Sequence, residues 1–87
     1  MEEKIEQFIK DNNLDLSLTG SGLNSVCTIL SGYALYLKLE LTDFSNILEK
    51  LYPGYDSGEF DRVFHFAKRN HYEKFWMTPK AKKMYKF

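Results

Sequence analysis

The sequence predicts a mainly α fold: a compact bundle of four helices, about 2–12, 23–38, 42–52 and 57–70, followed by a short C-terminal β-hairpin or a fifth helix. Apolar residues return at helical spacing in four separate stretches. Chain-breaking clusters (Asn12-Asn13, Thr19-Gly20-Ser21-Gly22 and Pro53-Gly54) fall between those stretches. Seven Phe, six Tyr and one Trp give the 87 residues bulk for one core, since each aromatic removes on the order of 150–250 Å² from water. Residues 1–87 are read as a single domain, because a chain this short has little room for a second core.

The first helix follows from Met1, Ile5, Phe8 and Ile9, with Glu2 and Glu3 in the first turn, where the helix dipole favours anions. Leu14, Leu16 and Leu18 alternate with Asp15, Ser17 and Thr19, which fits a short strand or an extended linker pinned by three leucines. Ser21 or Asn24 is positioned to cap the second helix. In that helix Leu23, Val26, Cys27, Ile29, Leu30, Tyr33, Ala34 and Leu37 fill one broad arc, while Ser25, Thr28, Ser31 and Gly32 fill the other. A surface helix normally carries charge on its outer arc, so this one is central or half of an interface. Gly32 inside a helix costs about 1 kcal/mol relative to Ala and predicts close approach by another backbone.

Thr42 is the expected N-cap of the third helix, whose stripe is Phe44, Ile47, Leu48 and Leu51 and which Pro53-Gly54 ends. Asp56 and Glu59 stand in a capping-box-like relation, with Ser57 as the alternative cap of the fourth helix. Phe60, Val63, Phe64, Phe66 and Ala67 lie on one side of that helix, opposite Asp61, Arg62, His65, Lys68 and Arg69. For the tail, aromatic density over 72–77 favours a strand pairing with 83–87, and the alternative is a helix capped by Thr78 with Pro79 at its first position.

Chemistry-bearing motifs are absent. Cys27 is the only cysteine and falls on an apolar arc, where thiols are inert. His65 and His71 are six apart, which does not set them on one helix face as metal ligands. Ser21 or Ser25 with either histidine has no spacing that marks a nucleophile and its base. Gly20-Ser21-Gly22 lacks the Lys-Ser/Thr ending of a P-loop. The uncharged run from Leu16 to Leu37 is too rich in Ser, Thr, Gly and Asn for a membrane span, and MEEKIEQF lacks the basic region of a signal peptide. The expectation is a cytoplasmic, non-enzymatic protein without cofactor, metal or membrane partner.

Its charges, by contrast, are sorted. Through Asp61 there are eleven acidic residues against four lysines; from Arg62 onward there are eight basic residues against Glu73 alone. Such asymmetry marks an interaction surface. Arg62, His65, Lys68 and Arg69 on the fourth helix, with Tyr72, Trp76, Lys80, Lys82, Lys83 and Tyr85 of the tail, form the expected contact set, because Tyr, Trp and Arg anchor protein interfaces. The expected partner is a protein with an acidic surface, bound stoichiometrically by an adaptor or inhibitor. Abundant Lys, Asn, Tyr, Phe and Ile suggest an AT-rich phage or mobile element as its source. The alternative is a winged-helix-like DNA-binding regulator, with Arg62, His65 and Arg69 in the major groove and Lys80, Lys82, Lys83 and Lys86 on phosphates from a hairpin wing. A pI of about 6.7 is far from that of a basic DNA-binding domain. Ser25, Thr28 and Gly32 form an expected self-association face.

Overall fold

A computed structural model describes residues 1–87 and contains only helices: α1 (Glu2–Asp11), α2 (Gly20–Tyr36), α3 (Leu41–Leu51), α4 (Ser57–Arg69), a 3₁₀ helix (Tyr72–Met77) and α5 (Pro79–Met84). The C-terminal hairpin is therefore wrong and the fifth helix right. Pro79 takes the first helical position of α5, where its missing N–H costs nothing. Thr78 stands at the N-cap, but its hydroxyl donates backwards to the Phe75 carbonyl (2.7 Å) and so closes the 3₁₀ helix. The aromatics of 72–77 fold inward as a helical segment because tertiary packing overrides their strand propensity. Nor is there a strand at 14–18. The Asp15 carboxylate accepts from the Ser17 N–H and hydroxyl (2.9 and 2.6 Å), which curls the segment into a local turn. Of its three leucines only Leu16 is buried, and Leu18 is exposed.

Helix boundaries depart from expectation where the N-cap residues differ. Gly20-Ser21-Gly22 forms the first turn of α2 instead of a loop; Gly20 enters at φ +60°, a conformation open to glycine. Neither Ser21 nor Asn24 caps it; Thr19 holds the N-cap position without a side-chain bond. Helix α3 starts one residue early, with Glu40 at its N-cap and Thr42 exposed in the first turn. At α4 the expected Asp56 cap is present: its Oδ1 accepts from the Glu59 N–H at 3.0 Å. Helices α1 and α2 end alike. Asn13 and Lys38 adopt left-handed backbone (φ 53° and 68°), and Leu14 and Leu39 donate back to the carbonyls of Ile9 and Ala34 at 3.0 Å. This is the helix-ending pattern in which a left-handed residue lets two orphan carbonyls be satisfied.

Helix α2 is the hub, packing chiefly against α4 and the 3₁₀ helix. Its buried residues, Leu23, Val26, Cys27, Leu30, Ser31, Gly32, Tyr33 and Ala34, wrap most of its circumference. One aromatic cluster joins both chain ends: Phe8 stacks on Tyr33 (centroids 4.0 Å apart), and Trp76 meets Phe8, Tyr33 and Phe87 edge-on at 5.3, 5.6 and 5.2 Å. Asn12 pins the C-terminal strap. Its amide donates to the Lys86 carbonyl (2.9 Å) and accepts from the Lys86 N–H (2.8 Å). A second cluster, Phe44, Phe60, Phe64 and Tyr55, holds α3 to α4. No helix is long and apolar enough to cross a membrane.

Candidate binding furrow

The backbone at the end of α4 sets the site. His71 adopts φ 56° and turns the chain out of α4 into the 3₁₀ helix. That helix lies on the small-residue arc of α2. An ideal Cβ on Gly32 would lie 2.7 Å from Trp76 Nε1 and 3.6 Å from Tyr72 Cβ. The close approach predicted at Gly32 is thus made by an indole side chain, not by a backbone. Half of the uncharged face of α2 is in consequence an intramolecular contact. Of the expected self-association residues, Gly32 is buried, Thr28 half-buried and Ser25 exposed, so they do not form one accessible face. The Ser31 hydroxyl is fully buried with no hydrogen-bond partner.

Beside the 3₁₀ helix, two grooves run along α2. The larger, about 440 Å³, is lined by Thr28, Ile29, His71, Tyr72, Phe75, Trp76, Met84 and Tyr85. The smaller, about 230 Å³, is lined by Asn24, Thr28, Arg62, Val63, Phe66 and Tyr72. Thr28 and Tyr72 belong to both, so the two grooves meet at these residues, which form the saddle of one furrow. No carboxylate lines either part. Phe66, expected inside, is 46% exposed on the wall, and Met84 is 55% exposed on the opposite rim. Phe66 is held there by an edge contact with Tyr72 (5.8 Å) and by the Arg69 guanidinium 5.8 Å from its ring centroid.

The sequence-predicted contact residues divide into three groups. Arg62, His65, Lys68, Arg69, Lys80, Lys82 and Lys83 are exposed as expected. Tyr72 and Tyr85 are half-buried furrow walls. Trp76 is 4% exposed and serves the core, presenting only an edge to the furrow; as a free anchor it is a correction, caused by the 3₁₀ helix turning it onto Gly32. Arg62 is not a free cation either. Its Nη2 donates to both Glu59 oxygens (2.7 and 2.8 Å), and Asn24 donates to the same carboxylate at 3.4 Å. These bonds hold the Glu59 carboxyl below its ordinary range and raise the Arg62 guanidinium. From Lys68 onward, by contrast, no lysine or arginine is in an ion pair. The one acid of this region, Glu73, contacts His71 at 3.2 Å through one oxygen and has the other buried. Its pKa is lowered first by a bond from its own backbone N–H and further by His71.

Sequence reasoning missed Ile29, Phe75 and Met84 as lining residues, because their role depends on where α5 and the 3₁₀ helix dock. The one available signal was spacing, which puts Lys80 and Met84 on one side of a helix at i, i+4. No three His, Cys, Asp or Glu side chains converge as a metal-ligand group. Burial pushes the Cys27 thiol up to about 12, with the charges of Glu59 and Asp56 adding to it. Comparison with protein-family models, with curated proteins and with solved structures finds no match.

Proposed function

We propose that this chain is a small, cytoplasmic, non-enzymatic adaptor or inhibitor that binds one protein partner stoichiometrically through the face formed by α4, the 3₁₀ helix and α5. The observation that carries it is an apolar furrow flanked by Arg69, over Phe66, and by Lys80, on the Met84 side of α5, neither of them held by a carboxylate of the chain. Unpaired cations around a partly apolar groove fit a partner whose surface is acidic, since complementary potentials speed encounter and fix register. An origin in a phage or mobile element accords with the residue usage. A DNA-binding role draws less support, because the wing it requires is replaced by a 3₁₀ helix and α5, and Arg62 already has a carboxylate partner.

Affinity purification of the tagged chain from its native host, with the same chain reversed to Glu at Arg69, Lys80, Lys82 and Lys83, tests this. The expected result is a partner recovered in stoichiometric ratio by the native chain and lost by the reversed one. Capture unaffected by reversal refutes the surface. A duplex-DNA affinity that falls steeply with log salt would move the function to nucleic-acid binding.

A further inference from the structure

The furrow itself carries a narrower conclusion, which rests on the protein-binding function just proposed. We infer that its occupant is a single acidic segment of another protein, which seats a bulky apolar side chain between Met84, Phe75 and Ile29 and continues across Thr28 and Tyr72 towards Phe66. The charges set the sign of the occupant. Helical spacing puts Lys80 on the side of α5 that carries Met84, whereas Lys82 lies towards the opposite side with its ammonium 4.4 Å from the Phe87 ring centroid. Arg69 stands over Phe66 at the other wall. One free cation therefore flanks each wall, and the carboxylates that contact furrow residues are already engaged: Glu59 by Arg62 and Asn24, Glu73 by His71.

The form of the occupant follows from the floor. Thr28 and Ile29 present a narrow strip of one helix, too little for a broad globular surface but matched to one chain segment. Three of the five large exposed apolar side chains, Phe66, Met77 and Met84, fall within the basic part of the chain, and two of these line the furrow. Methionine at the rim adapts its shape to an incoming side chain. A second copy of this chain fits poorly, because the apolar residues of its acidic α1 (Ile5, Phe8 and Ile9) are already buried.

Selection of a random 16-residue peptide library on the immobilised full chain tests the inference. Selected peptides should carry a net negative charge and at least one bulky apolar residue. They should bind one to one and change the emission of Trp76, the only tryptophan, which edges the furrow. Thr28→Arg, which fills the saddle, and the pair Arg69→Glu with Lys80→Glu should each weaken binding at least tenfold, with circular dichroism confirming an intact fold. Neutral or basic winners, no winners, or binding indifferent to Thr28→Arg would overturn it. A native partner lost on charge reversal yet retained by Thr28→Arg would defeat the furrow and leave protein binding standing; a partner retained by both would defeat both.

Discussion

Gly32→Ala sets two opposing effects against each other at one atom. Alanine is the better helix former by about 1 kcal/mol. Its methyl, however, would lie 2.7 Å from Trp76 Nε1, well inside contact distance. The indole has little freedom to yield. It is buried, and Tyr85, Phe75 and Phe87 surround it at centroid distances of 5.0 to 5.2 Å. Forcing extra volume into a packed core costs about 1–3 kcal/mol, so the net effect is a loss of ~1 kcal/mol. For a domain of this size that lowers the melting temperature by about 4–8 °C. Gly58→Ala is the internal control. Its Cβ meets only Asp56 Oδ1 at an ordinary 3.6 Å, so the propensity gain stands alone and the melting temperature rises. Thermal unfolding followed by circular dichroism and by Trp76 emission measures both variants. If Gly32→Ala matched or exceeded the native chain with unchanged emission, the 3₁₀ helix would not be seated on α2.

Three further outcomes are expected. Asn12→Ala removes both bonds to Lys86 and one to the Phe8 carbonyl; at about 0.5–1.5 kcal/mol per bond, less where water replaces it, denaturant titration should show a loss of ~1–2 kcal/mol and proteolysis should trim the C-terminal strap first. Cys27, buried with its thiol pushed to about 12, should resist iodoacetamide at pH 8 until the domain opens, so alkylation quenched by mass spectrometry should track global unfolding; because its folded pKa is raised, its contribution is complete below the unfolded value of about 8.5 and declines as pH climbs towards 12. Glu59 and Glu73 are both shifted down, Glu59 chiefly by Arg62 and Glu73 chiefly by its own backbone N–H. Their stabilisation is present above the unfolded carboxylate value of about 4.3 and falls away as pH drops through the lower folded values. Arg62→Gln should therefore flatten the acid limb of a stability-against-pH curve, and an unchanged limb would assign acid loss elsewhere.

Local pattern revealed more of the fold than of the site. Each of the four long helices announced itself through apolar spacing, and Asp56 through the chemistry of an N-cap. The tail did not, since aromatic residues suit a strand and a packed helical turn equally well until something receives them. What receives them is Gly32, forty or more positions earlier in the chain, and no local window joins the two. The same distance in sequence hid the furrow. Thr28, Tyr72 and Met84 become neighbours only when His71 turns the backbone and α5 docks.

Taken alone, the amino-acid order determined that this chain is mainly helical, that α2 is either central or half of an interface, and that positive charge gathers after Asp61. Those are consequences of periodicity and composition, which act over a few residues or over none. Tertiary structure decided which of those charges are free and which aromatics are spent. Arg62 is neutralised by Glu59, Trp76 is drawn onto Gly32, and the cations beyond Arg62 are left without carboxylates. Pairing and burial depend on contacts between segments distant in the chain. A basic run in the sequence becomes a binding face only where packing leaves it unpaired beside an apolar groove.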